Sequence, residues 1–388
     1  MTRTVCAFSS HSTSVDAGKE LAAQIARKIE QPSAIILFLG IGYDPSVILG
    51  LFSEQFPTAQ VVGCSSMGEI DSAHNGKDGA SALALYSTDM LFSAGVATGI
   101  SEGPEKAARQ LLTGFRGFQE NQYRYRTALV LCDAPNGLTE DMITALHLET
   151  GGKYQFFGGG ASGGSIETPS RAKVFIDKEA SSNAAVALEI LSTRPIGIGV
   201  RHGWTTATGP MRVTASHGTV VESMNAIAAA EIFKQHAHIT GQKLNPESAY
   251  SFFVRNALGL RLDSGYKLRL PLAFLENGAM EFSSEIPPGA TVNIMGKTDQ
   301  SSIHAAQLAA QEAISQLGNY KPSGALLFDC AANGLLLGEV FQETVHAVQE
   351  AIGELPLCGC NSAGQIATLK GQFSGFHNCS AVVCVFPE

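Results

Sequence analysis

Three stretches of the chain share one unusual skeleton, Gly-x-x-Ser-x-Gly-x-Ile. They read Gly63-Cys64-Ser65-Ser66-Met67-Gly68-Glu69-Ile70, Gly159-Gly160-Ala161-Ser162-Gly163-Gly164-Ser165-Ile166, and Gly359-Cys360-Asn361-Ser362-Ala363-Gly364-Gln365-Ile366. Each follows an apolar run such as "AQVV", "YQFF" or "LPL" and precedes another strand-like run. Glycine permits positive φ and close backbone approach. A turn of this kind, used three times, implies a repeated strand–turn–strand unit before it implies any chemistry.

The surroundings repeat in the same order. "TVCAFSS" reads as a strand, residues 14–30 as a helix, "SAIILFLG" as a strand, and Asp44-Pro45 as the start of a short helix. "GASALALYS" returns after the turn. "LFSAGVATG", residues 104–117, "TALVLCDA", residues 139–149 and "RAKVFID" repeat the series, and "TVNIMG" begins it a third time. Apolar strands alternating with amphipathic helices give α/β layers. The expected fold is α/β of mixed α+β character. Three βαβαββ-like units, near 1–90, 91–192 and 290–388, form mixed sheets flanked by helices. Residues 193–289 read as a largely antiparallel β segment with one helix near 224–236. The expected domains are 1–222, holding two units, and 223–388, holding the β-rich segment and the third unit.

Composition narrows the function. Charged residues make up 16% and glycines number 41, against an average of about 25% charged. The net charge is −9 and no Lys/Arg run appears, so nucleic-acid binding has no electrostatic support. No apolar stretch approaches the ~20 residues of a membrane span, and "MTRTVCAFSSHST" lacks a signal-peptide core. A cytoplasmic protein is expected. The eight cysteines lie mostly in strand-like apolar runs and read as buried thiols.

Turns just past strand ends are where α/β sheets bind ligands. The outer two carry Cys64, Ser65, Glu69, Cys360, Asn361 and Ser362, which suit a polar ligand, while the Gly- and Ala-rich middle copy suits chain reversal alone. Gly160-Ala161-Ser162-Gly163-Gly164 also fits G-x-S-x-G, but that motif needs a following helix, and "SIETPSRAKVFID" follows instead. A hydrolase using Ser162 or Cys64 is the remote alternative.

The paired outer turns, "LGLRLDSGYKLRLPLAF", "SSEIPPGATVNIMGKTD", "GVRHGWT" and "FHNCSAVVCVF" together resemble the bacterial FIST family, with its N-terminal and C-terminal domains, over nearly the whole chain. The resemblance implies a non-catalytic ligand sensor in signalling. It is similar to the stand-alone branch of NosP type, which senses nitric oxide through haem. Such a protein acts on a partner histidine kinase or cyclic-di-GMP enzyme, a diguanylate cyclase or phosphodiesterase. The haem would need an axial ligand, for which His236, His238, His202 and His377 are the candidates. A haem-free sensor of amino acids or another small metabolite is the alternative. Arg269, which matches the family's strand arginine, suits a ligand carboxylate or an intramolecular salt bridge equally. Cys358, Cys360 and Cys379 make a weak zinc alternative. The expectation common to these readings is a hollow at the glycine corners, open to a guest.

Overall fold

The computed structural model describes residues 1–76, 78–133, 137–163, 172–245, 249–262, 265–368 and 375–388. The end of the middle corner, Gly164-Ser165-Ile166, lies outside the described residues.

The first unit comprises β1 (Thr2–Ser9), α1 (Ser14–Ala26), β2 (Ala34–Gly40), α2 (Pro45–Gln55), β3 (Gln60–Ser66), β4 (Glu69–Asp71), β5 (Asn75–Gly76) and β6 (Ala80–Ser87). The second repeats the order with β7 (Met90–Thr98), α3 (Pro104–Leu112), β8 (Tyr125–Asp133), α4 (Thr139–Glu149), β9 (Gln155–Gly160), β10 (Val174–Ile176), β11 (Glu179–Ser181) and β12 (Ala184–Ser192). Next come β13 (Gly197–Arg201), β14 (Thr205–Thr206), β15 (Met211–His217), β16 (Val220–Met224), β17 (Ile227–Ala228), α5 (Ala229–Thr240), α6 (Tyr250–Phe253) and β18 (Asn256–Leu262). They are followed by β19 (Gly265–Arg269), β20 (Pro271–Phe274), β21 (Met280–Phe282) and β22 (Thr291–Gly296). The last unit holds α7 (Asp299–Gln316), β23 (Pro322–Cys330), α8 (Ala331–Leu337), α9 (Phe341–Ile352), β24 (Leu357–Ser362), β25 (Gln365–Ala367), β26 (Phe376–His377) and β27 (Ala381–Pro387).

The mixed α/β class holds. Among the described residues the strands form three six-stranded sheets and one nine-stranded sheet. In each six-stranded sheet one pair is parallel, β2–β3, β8–β9 or β23–β24, and the other neighbours are antiparallel. The returning strands after the corners do not stay at home. β4 pairs with β24 of the third unit, β25 with β9 of the second, and β10 with β3 of the first. Every unit thus closes the sheet edge of another, and the exchange runs once around the ring.

The inner faces of the three sheets meet in one core. Phe38 and Val62, Leu129 and Phe157, and Leu326, Phe328 and Phe386 pack there, Phe328 edge-on to Phe38 and Phe157. Helices cover the outer faces: α1 and α2 on the first, α3 and α4 on the second, α7 and α9 on the third. Both faces of these strands are therefore dry, which is why "AIILFLG" is apolar without alternation and buried throughout. Each buried phenylalanine of this kind stabilises the fold by about 2–3 kcal/mol.

The third unit begins earlier than its sequence suggests. Its first strand is β13, in "PIGIGVRHGW", which pairs with β27 as β1 does with β6. "TVNIMG" forms β22 in the nine-stranded sheet instead. That sheet is inserted between β13 and α7. Gly197 and Gly199 let the backbone of α7 lie directly on β13; a Cβ there would stand 1.8 and 1.9 Å from the carbonyls of Ala313 and Ala309.

The helical stretch between β23 and β24 is interrupted. α8 and α9 are separated by a short 3-10 turn at Gly338, whose φ of +53° breaks the first helix.

Candidate functional site

The three glycine corners converge, and they touch. Asn361 N–H donates to Gly68 O at 2.8 Å, Ser162 N–H to Ser65 O at 3.0 Å, and Gly160 N–H to Gly364 O at 3.0 Å. The Ser162 hydroxyl donates to Asn361 O at 2.9 Å. A Cβ at Gly160 would fall 2.1 Å from Ala363 O, and one at Gly159 2.7 Å from Ser362 Cβ. The expected hollow between the corners is therefore filled by the corners themselves. Glycine here serves backbone-to-backbone approach between units, not access for a guest.

The corner residues read as ligand groups have internal partners. Cys64 lies in the inner core against Cys360. Ser65 bonds the backbone of Lys173, its N–H donating at 2.9 Å to the carbonyl and its hydroxyl accepting from the N–H at 2.9 Å. Ser362 donates to Asp329 O at 3.3 Å. Glu69 is fully buried; it accepts from the Ser66 hydroxyl and from Gly79 N–H at 2.9 Å. Burial pushes its carboxyl up to about 8, against the pull of those two bonds. Gln365 occupies the same place in the last corner, donating to Ser362 Oγ at 3.1 Å and accepting from Ser380 N–H at 3.1 Å. Asn361 is 6% exposed and its Nδ2 has no hydrogen-bond partner among the described residues. Neither Ser162 nor Cys64 is bonded to an imidazole or a carboxylate among the described residues.

A second cluster forms where the inserted sheet meets the second and third units. Lys267 and Arg269 alternate on β19, so both point to one face. Both close on Glu140, in the first turn of α4: Lys267 bonds Oε1 and Arg269 Nη2 bonds Oε2 at 2.9 Å. Arg269 Nε also donates to Glu285 O at 2.9 Å and Nη1 to Leu268 O at 3.2 Å. Of the two readings of Arg269, the structure contains the intramolecular salt bridge. Burial lowers the pKa of both cations, and Glu140 opposes that shift.

Two of the four histidines join this cluster. His377 Nε2 bonds Ala367 O at 3.0 Å, which places the proton there and leaves Nδ1 without a bond among the described residues. Its pKa is held down to about 4, by burial first and then by Lys267 and His202; the Ala367 carbonyl and Glu140 oppose this. Burial also lowers the pKa of His202, whose ring bonds the backbone of Tyr266 and whose Nδ1 accepts from Trp204 N–H at 3.3 Å. At neutral pH both imidazoles are uncharged. The other two histidines lie elsewhere. His236 is buried against Phe252 with Nε2 on Asn256 Oδ1 at 2.9 Å, and His238 is exposed on α5.

The zinc alternative does not assemble. Cys358 contacts Cys6, Cys360 contacts Cys64, and Cys379 contacts Cys330, so its three thiols belong to three separate pairs. Among the described residues no group of three or more His, Cys, Asp or Glu is arranged to hold a metal.

Sequence reading missed Glu140, Lys267 and the Cys330–Cys379 pair. Lys267 was detectable, because it shares a strand face with Arg269. Glu140 looked like an ordinary acid at a helix start.

No helix among the described residues is long and apolar enough to cross a membrane.

Residues 33–227 match the FIST N domain and residues 229–368 the FIST C domain. Two uncharacterised mycobacterial proteins, from Mycobacterium bovis and Mycobacterium tuberculosis, are each 25% identical over 111 residues. That match covers 29% of this chain and 28% of each relative's length. Among solved structures, a cyanuric acid hydrolase from A. caulinodans aligns over the full length of both chains with a TM-score of 0.37 and 8% identity. PurLQS from Thermotoga maritima gives 0.24 and 9%, over 99% of this chain and 72% of that one. Likenesses this distant carry nothing about chemistry.

Proposed function

The chain belongs to the FIST family, with both the N and the C domain, and on that basis we propose that it is a non-catalytic sensor of a small, carboxylate-bearing metabolite. FIST domains carry a sensing and signal-transduction role. The observation supporting this ligand class is the clasp of Glu140 by Lys267 and Arg269. A planar guanidinium and an ammonium closed on one carboxylate make a receptor for carboxylates. Glu140 is its resident occupant, carried by the N domain, while both cations belong to the C domain.

An amino acid or similar acid would exchange for Glu140. The neutral imidazoles of His202 and His377 then supply hydrogen bonds to the rest of the ligand. Release of Glu140 frees the first turn of α4, and the ligand thereby distinguishes two states of the domain junction, as a signal requires. A partner histidine kinase or cyclic-di-GMP enzyme would read that difference.

Haem sensing of nitric oxide is the other reading. His377 has the tautomer of an axial ligand, its second nitrogen fixed by a carbonyl. A haem would have to displace Glu140 to set its propionates on these cations, as the smaller acid does, and it would need His377 or His202 for its iron, since His236 is committed to Asn256.

Calorimetry of the full chain against the proteinogenic amino acids and simple dicarboxylates tests the proposal. Saturable binding is expected, lost in Arg269→Ala and tightened about tenfold in Glu140→Gln, because the internal competitor is removed. Binding indifferent to both substitutions would reject the clasp as the site. A Soret band on haem addition that disappears only in His377→Ala would transfer the assignment to haem.

A further inference from the structure

The chain holds three pairs of touching thiols, and one pair differs from the others. Cys6–Cys358 and Cys64–Cys360 lie in or against the apolar inner core. Cys330–Cys379 lies at the junction of the third unit with the inserted sheet, beside Trp204, Tyr250 and Lys297. The fold builds this pair from two neighbouring strand ends. Cys330 closes β23 and immediately precedes α8; Cys379 lies just ahead of β27, whose Ala381 pairs with Asp329.

The backbone at Cys379 is held in an unfavourable conformation. Its φ is +58°, a left-handed geometry that side chains other than glycine and asparagine resist. Neighbours pin it there. Trp204 Nε1 donates to Cys379 O at 3.1 Å, Ser380 N–H to Gln365 Oε1 at 3.1 Å, and Asn378 Nδ2 to Leu268 O at 3.4 Å. A cysteine kept where glycine would fit better, with its sulfur against a second sulfur, points to the thiols themselves.

The surroundings polarise the pair. Lys297 stands 4.8 Å from the centre of the Trp204 ring and donates to Asn333 Oδ1, and Asn333 in turn donates to Asp329 at 2.7 Å. The Cys379 thiol, hydrogen-bonded to Cys330, pulls Cys330 down to about 6, and Lys297 helps; burial opposes both. The same contact and burial push Cys379 well up. The directions of the two shifts favour the thiolate on Cys330 and the proton on Cys379. Cys330 and Cys379 are only 7% and 3% exposed, which excludes a bulky disulfide as their partner and restricts any oxidant to a small one.

We propose that Cys330 and Cys379 form a peroxide-reactive dithiol site, with Cys330 the attacking sulfur and Cys379 the resolving one. Cys330 sulfur attacks a hydroperoxide oxygen; an S–O bond forms, the O–O bond breaks, and the departing oxygen leaves as alcohol or water after taking a proton. Cys379 sulfur then attacks the sulfenic sulfur. An S–S bond forms, the S–O bond breaks, and the hydroxide leaves as water with the Cys379 proton. Two thiols supply two electrons and the peroxide accepts both.

The other two pairs serve as internal controls. After limited hydrogen peroxide treatment of the full chain, non-reducing peptide mass spectrometry is expected to find the Cys330–Cys379 disulfide at least about tenfold ahead of either core pair. Cys379→Ser should stop at a sulfenate on Cys330, trapped by dimedone. Lys297→Met should slow the reaction about tenfold at neutral pH, and Lys297→Arg should largely preserve it. Equal oxidation of the three pairs, earlier oxidation of a core pair, or dimedone labelling away from Cys330 would overturn the assignment. Circular dichroism of each variant separates loss of reactivity from loss of fold, and the wild-type pair comparison needs no variant at all.

Discussion

The corner residues Glu69 and Gln365 perform one task with two chemistries. Each bridges a serine three positions earlier to a backbone N–H of the returning chain. Gln365 does so uncharged at any pH, whereas Glu69 must hold a proton to match it. A buried carboxyl raised from 4.5 to about 8 contributes stability that is full below pH 4.5 and is lost as pH rises through 8. Glu69→Gln is therefore expected to stabilise the protein at pH 8 by on the order of 4 kcal/mol and to have little effect at pH 4. Denaturant midpoints of the two proteins from pH 4 to 9 measure the difference, which cancels titrations common to both. A constant difference across that range would mean that Glu69 is ionised in the fold. Single residues were legible in part. Arg269 announced its need for a carboxylate, but a helix acid 129 positions earlier in the chain supplies it, and no local spacing encodes that partner. The corner serines and cysteines looked like ligand groups because their partners lie in other repeats.

At the level of elements, the repeats were visible and their exchange was not. Periodicity marks a strand or helix, since burial of a face is a local pattern. Which edge a short returning strand joins depends on geometry far along the chain. β4, β10 and β25 are three residues long in each case, too short to declare a partner. The displaced start of the third unit has a similar cause: β13 was visible, but the inserted sheet separates it from α7 and made β22 look like its substitute. The exchanged strands meet at the glycine corners, so those corners should be intolerant of a single methyl group. Gly160→Ala places Cβ against the carbonyl of Ala363, and a loss of at least about 3 kcal/mol is expected by chemical denaturation. Gly42→Ala, at a position with open space around it, should change stability by less than about 0.5 kcal/mol. Similar effects at both positions would mean that the corners relax and do not set the spacing of the units.

For the whole molecule, the sheets run across the junction of the two family domains. β13 hydrogen-bonds to β27, β4 to β24, and β25 to β9. A fragment of residues 1–222 would leave β9, β13 and β4 without their partners β25, β27 and β24. Exposed edges of this kind associate or unravel. The fragment is expected to be expanded and to bind hydrophobic dye, while the full chain unfolds in one calorimetric transition; a compact, cooperatively melting fragment would contradict this. The α/β class was legible because composition and alternation are properties of the entire chain. The ring closure was not, because it is a relation among segments hundreds of residues apart. Open repeat arrays gain or lose copies freely, since each copy touches only its neighbours. Here every copy lends a strand to one companion and borrows from the other. A duplication would bring in a strand with no host, and a deletion would leave a host with no strand, so the number of copies is fixed at three by handshake.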